Sequence, residues 1–172
     1  KNECPHCGYA AGTPQAAPNL PVKTVLARRY LVGKAFDANG EGVTYMALDL
    51  ITRTPVHLRE FFPDTLVTRR EKSLDVSVSA DKESSFSPLL RSFLELWRRL
   101  AKMRSVVQTP NVLNIFEENG TAYVVTEHFE SVTLRDFLLR TPTGFLNWDQ
   151  VRQLFMPLLS ALEQLHQAGI VH

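Results

Sequence analysis

Between Tyr30 and Phe61 the chain passes three times through a short run of β-branched and aromatic residues, RYLVGKAF, GVTYMALDL and PVHLREF, with only DANGE and ITRT between them. Strands joined by connections this short make an antiparallel meander. A further pair, VLNIFEE and TAYVVTEHF, is separated by Asn119-Gly120. Both of those residues tolerate positive φ, so the pair reads as a tight hairpin.

The segment between the two strand groups divides in two. Residues 64–87 are polar and poorly patterned, with one short strand candidate at 74–78. Residues 88–103 place Leu89, Leu90, Phe93, Leu96, Trp97 and Leu100 three and four positions apart, the spacing of a helix with one apolar face. Beyond the hairpin the chain is helical. Thr133 caps a short helix, with Asp136 as its capping-box partner, and Asn147 caps a longer one, with Gln150 in the same relation. The longer helix, over 147–168, carries Val151, Leu154, Phe155, Leu158, Leu162 and Leu165 on one face. Pro157 inside it removes one hydrogen bond and should kink it, and Gly169 is placed to end it. Three strands, a helix, two strands and then helices make an α+β arrangement.

Charge and composition exclude several classes. The net charge of +1 over 172 residues gives no reason to expect a nucleic-acid or membrane surface. Arg98, Arg99, Lys102 and Arg104 cluster, but on a predicted helix with Leu94, Leu100 and Met103 between them, as on a solvated face. No apolar run is long enough to span a bilayer, and KNECPHCGY has no apolar signal core, so a cytoplasmic location is expected. The start at Lys1 rather than Met suggests a processed or trimmed chain. Residues 1–21 join CPHCG to an Ala- and Pro-rich tract with no periodicity, which reads as a linker headed by a small Cys motif. Cys4 and Cys7 supply two of the four ligands that tetrahedral zinc needs, and His6 between them is badly placed to be a third. Zinc there would have to be shared between chains or completed by other residues; the alternative is a reduced, disordered stub.

The stretches RYLVGKAF, NGEGVTYMALD, VHLREFFPDTLVTR, NGTAYVVTEHFESVTLRDFL and ALEQLHQAGIVH, in this order, resemble the amino-terminal lobe and first carboxy-terminal-lobe helices of a protein kinase. The similarity is greatest to bacterial serine/threonine kinases that begin with a Cys-containing, zinc-ribbon-like motif. On that resemblance residues 1–21 are the zinc-ribbon-like stub and linker. Residues 22–130 are the lobe, an antiparallel sheet of about five strands with one packed helix. Residues 131–172 are the helices that follow the hinge.

Kinase chemistry asks three things of such a lobe: a Gly-rich turn whose backbone approaches the phosphates, a lysine on the third strand, and a glutamate on the helix that holds the lysine. The resemblance places Asp37, Asn39 and Gly42 at the three glycine positions, so only the last glycine is kept. Asp37 and Glu41 bring negative charge to where a triphosphate would lie. The VAIK-like motif reads Val56-His57-Leu58-Arg59, with Arg59 for the lysine and His57 for the small residue above the adenine. Arginine is a larger planar fork and not a neutral replacement. If His57 turns outward, Arg59 could still reach a phosphate. Leu96 falls at the position of the helix glutamate. Glu95 is its neighbour and faces elsewhere unless the register shifts by one. The hinge-like Thr126-Glu127-His128-Phe129 is the part of a nucleotide site left intact.

The resemblance therefore implies a pseudokinase that works as a protein-binding or regulatory module. It has no catalytic residue of its own and requires no cofactor, although weak ATP with magnesium stays open. The alternative is the amino-terminal-lobe part of a larger ATP-dependent serine/threonine kinase, whose catalytic loop would begin at His172. The apolar face of the last helix is the expected surface for a protein partner or for self-association.

Overall fold

The computed structural model describes residues 15–71, 73–103 and 109–171. They form two units, one holding every described strand and the first helix, the other holding the remaining two helices.

The first unit is built on a six-stranded antiparallel sheet in the order β1 (Val25–Leu26), β2 (Tyr30–Asn39), β3 (Gly42–Asp49), β4 (Thr54–Phe61), β8 (Thr121–Glu127), β7 (Val112–Glu118). The meander is there as read: β2 (Tyr30–Asn39), β3 (Gly42–Asp49) and β4 (Thr54–Phe61). So is the hairpin of β7 (Val112–Glu118) and β8 (Thr121–Glu127), with Asn119 at φ 54° and Gly120 at φ 74° between them. β8 pairs with β4, setting Thr126 opposite His57 and Val124 opposite Arg59. The two-residue β1 (Val25–Leu26), too short to show a pattern, adds an edge to β2.

The polar segment holds more structure than its composition suggests. β5 (Val67–Arg69) and β6 (Val76–Val78) pair as a separate two-stranded sheet. β5 escapes pattern reading because one of its two inward positions is an arginine. The helix, α1, runs Glu83–Lys102 and so begins five residues before Pro88, which lies inside it. Its early turn is anchored by Phe86, whose ring lies 5.6 Å from that of Phe61, while Phe93 lies 5.0 Å from the same ring. The buried stripe is accordingly Phe86, Phe93 and Leu94, and Leu89, expected on the apolar face, is 48% exposed.

Residues 15–20, linker by composition, make specific contacts with this sheet. Leu20 is wholly buried and its N–H donates to the Tyr45 hydroxyl (3.1 Å). Gln15 donates to the Leu20 carbonyl (2.6 Å) and accepts from the Ala35 N–H (2.7 Å). At the β3–β4 turn, Asp49 is held by two bonds from Arg29 (2.9 and 2.7 Å) and accepts from the Ile51 N–H (3.0 Å). The Arg29 guanidinium keeps this carboxyl well below the usual carboxylate range.

In the second unit, α2 (Leu134–Arg140) is capped by Thr133, whose hydroxyl accepts from the Asp136 N–H (3.1 Å) and donates to the Asp136 carboxylate (2.8 Å). α3 (Trp148–Gln167) opens on a complete capping box between Asn147 and Gln150, both bonds 2.9 Å. It ends as Gly169 suggests, at φ 69°, with the Gly169 N–H on the His166 carbonyl and the Ile170 N–H on the Leu165 carbonyl (both 2.8 Å). These two hydrogen bonds satisfy carbonyls the helix end would otherwise leave open. On α3, Leu154 and Leu158 are each 45% exposed, whereas Ala161 is buried.

Candidate functional site

Alternation along β4 sorts its side chains onto two faces. Val56, Leu58 and Glu60 are buried on one; His57 and Arg59 are half-buried on the other, where they meet Met46 and Thr44 of β3 across the ladder. The sequence-derived site residues of the sheet fall on this second face or at its end.

Both terminal nitrogens of Arg59 are engaged by the adjoining β2–β3 hairpin. Its Nη1 donates to the Thr44 hydroxyl (3.1 Å), and its Nη2 donates to the Asn39 side-chain oxygen (2.8 Å) and to the Glu41 carboxylate (2.9 Å). Asn39 also accepts from the N–H groups of Glu41 and Gly42 (3.1 Å each), so its amide oxygen sits at the centre of the β2–β3 loop. Gly42 is required by space: a Cβ there would lie 2.0 Å from the Glu60 carbonyl oxygen. Asp37 is exposed and lies opposite Thr44 in the ladder.

His57 does not turn away from this face. Its Nε2 is 2.9 Å from Nδ1 of His128, and its ring lies 5.0 Å from that of Phe36. Burial, and then the neighbouring His128, lower its pKa below the ordinary imidazole value. Thr126 is buried opposite His57, and Glu127 is half-buried opposite Val56.

Neither Leu96 nor Glu95 is a hydrogen-bond or ion-pair partner of Arg59, although Leu96 and Glu41 line the same cavity. Leu96 is half-buried and lines, with Leu89, Phe93, Phe61, Pro63 and Gly40, an apolar cavity of about 340 Å³ beside the β2–β3 loop. Glu95 lies on the exposed side of α1.

The opposite face of β4 holds a group that sequence reading passed over. Glu60, fully buried, accepts from the hydroxyls of Tyr45 and Tyr123 (2.9 Å each) and is paired with Arg69 of β5. Arg69 also donates to the carbonyls of Pro18 (2.8 Å) and Leu74 (3.0 Å) and lies over the Phe62 ring. Burial and the Glu60 charge push both tyrosine hydroxyls up beyond the ordinary phenol range. The one available signal was the alternation itself, which puts Glu60 in line with Val56 and Leu58.

No protein-family model matches the chain. In sequence it is similar to the serine/threonine-protein kinase PrkC of Bacillus subtilis, 26% identical over 147 residues that cover 84% of this chain and 19% of that protein. It is also similar to a probable serine/threonine-protein kinase PknB of Bifidobacterium longum, 32% identical over 92 residues, covering 46% of this chain and 13% of that one. In structure it matches the apo form of PpkA-294 with a TM-score of 0.78 and 28% identity, over 90% of this chain and 54% of that chain. The chain is serine/threonine-kinase-like, with the fold of a kinase amino-terminal lobe. It spans only about a fifth or less of the two curated relatives.

In this kinase-like lobe the cation of the third meander strand finds its acidic partner in the loop, at Glu41, and the helix offers Leu96. Among the described residues no three His, Cys, Asp or Glu side chains gather as a metal ion would need. Cys4 and Cys7 lie outside those residues, as does His172. Among the described residues no helix is long and apolar enough to cross a membrane.

Proposed function

We propose that this lobe is a non-catalytic, pseudokinase-type binding module in which ATP binding is lost or weak. The observation that carries the reading is where the Arg59 charge is neutralised: on Glu41 of the β2–β3 loop rather than on α1. The contact of His57 with His128 and Phe36 supports it, since an adenine ring would compete with these rings for the same strand face. A protein partner, or a second copy, would be met through the α3 surface that exposes Leu154 and Leu158. Magnesium-supported ATP binding, if present, would be weak. Zinc at Cys4 and Cys7 would need two further ligands.

Equilibrium titration of the chain with ATP, with and without magnesium, tests this reading. No binding at millimolar nucleotide is expected. Magnesium-dependent binding at micromolar nucleotide would overturn it.

A second reading is favoured by the relatives, which are named as kinases and are several times longer than this chain. In it the lobe is the upper part of an ATP-dependent serine/threonine kinase. Phosphoryl transfer by the longest protein that the gene encodes would establish this reading, and its absence in a protein that binds ATP would remove it.

A further inference from the structure

The β2–β3 loop and Arg59 together present an arrangement of donors that is more specific than a well-formed turn. Two consecutive backbone N–H groups, of Glu41 and Gly42, and the Nη2 of Arg59 all point to one oxygen, Oδ1 of Asn39, at 3.1, 3.1 and 2.8 Å. Paired main-chain N–H groups beside a guanidinium are the donor set that phosphoryl oxygens take in anion-binding loops. A carboxylate oxygen of Glu41 then lies 2.9 Å from the same guanidinium nitrogen. The Arg59 side chain is 13% exposed and that of Glu41 is 46% exposed, so the carboxylate is the more solvent-exposed partner of the pair.

We propose that this loop is an anion site occupied by the protein's own side chains, with Asn39 as the inner occupant and Glu41 as the outer one. The inference rests on the reading that ATP binding is lost or weak, and deepens it: the donors for a polyphosphate are present, and the weakness comes from intramolecular competition. Two physical points make the occupants displaceable. An ion pair with one partner half in water is held weakly by itself. What keeps Glu41 in place is its tether, which gives it a high effective concentration at the guanidinium. A polyphosphate offers that guanidinium a more strongly charged acceptor than the neutral amide of Asn39. Asp37, opposite Thr44 on the adjoining strand, is unpaired with Arg59 and adds only general repulsion.

The test is calorimetric titration of the chain with inorganic tripolyphosphate at low ionic strength. It compares wild type, Glu41→Gln, Asn39→Gly/Glu41→Gln, and each variant with Arg59→Ala added. Glu41→Gln should tighten binding about ten-fold by removing the competing charge, and the double variant should gain more. Adding Arg59→Ala should abolish the gain. Asp37→Asn, which removes an equal charge without releasing Arg59, should gain clearly less than Glu41→Gln. The proposal is overturned if Glu41→Gln, melting as wild type does, binds no more tightly than wild type. It is overturned equally if Asp37→Asn gains as much, or if the gain survives Arg59→Ala. Should Asn39→Gly disturb the turn, Glu41→Gln decides alone, because that exposed side chain keeps its shape. The reading of weak ATP binding fails on a different result, micromolar binding of magnesium-ATP by the wild type, whatever the variants do with tripolyphosphate.

Discussion

Glu60 and Arg69 form an ion pair from which water is excluded, their side chains 0% and 1% exposed. The pair is satisfied on every side, by two tyrosine hydroxyls on the carboxylate and two backbone carbonyls on the guanidinium. Such a pair is neutral or costly compared with apolar packing, yet breaking it leaves a buried charge without compensation. Arg69→Met should therefore destabilise the lobe by about 3–5 kcal/mol, and Glu60→Gln with Arg69→Met should recover roughly half of that. Urea denaturation of the three proteins measures both numbers.

The two glycines of the β2–β3 loop should respond in opposite ways. A Cβ on Gly42 would meet the Glu60 carbonyl oxygen at 2.0 Å, while one on Gly40 would meet nothing within 4 Å. Gly42→Ala should cost about 1–3 kcal/mol because strand backbone must move. Gly40→Ala should stay within about 0.5 kcal/mol of wild type. Thermal melts of the two variants side by side give the comparison.

Acidification should weaken the first unit through His57. Its pKa is lowered on folding from the ordinary 6.5, by burial first and by His128 second. Below that value the unfolded chain binds the proton and the folded chain does not. Stability is therefore full above pH 6.5 and falls as the pH drops, until folded His57 itself takes up the proton. His57→Phe should flatten the stability profile in that window. An unchanged slope in the variant would remove His57 as the cause.

In the second unit, Asn147 contributes both a side-chain acceptor for the Gln150 N–H and a backbone N–H for the Gln150 side chain. Asn147→Ala should cost about 1 kcal/mol and fray the first turn of α3. Hydrogen exchange at residues 148–151 should speed up, with little change at Gly169, which closes the other end.

The legible parts of this chain were those whose chemistry is local. The turn at Asn119-Gly120, the caps at Thr133 and Asn147 and the stop at Gly169 each depend on one or two adjacent residues, and all four stand where the sequence puts them. The start of α1 was misread because Pro88 looks like a first-turn residue, whereas the turn before it is fixed by Phe86 packing on Phe61, twenty-five residues away. Arg59 could be recognised as a substituted cation, but not its partner. A search for acids along the helix cannot find Glu41, which the β2–β3 turn carries across the ladder. Glu60 was missed for a related reason: an acid in an apolar alternation is read as exposed until the arginine nine residues on is known to fold over it.

The buried cluster also limits how sequences of this lobe can drift. The Glu60 carboxylate, two phenols, the Arg69 guanidinium and the Pro18 carbonyl come from five separate stretches of chain, and each satisfies another. A change at Glu60, Arg69 or either tyrosine strands a charge or a polar group belonging to a distant stretch, whereas the Pro18 carbonyl is main chain and any residue there supplies it. Kindred sequences should therefore carry the whole set or lose it together, with an apolar side chain at position 60 accompanied by one at position 69 and by phenylalanine in place of both tyrosines. The ancestry of this lobe can thus be followed at positions on the opposite face of β4 from His57 and Arg59.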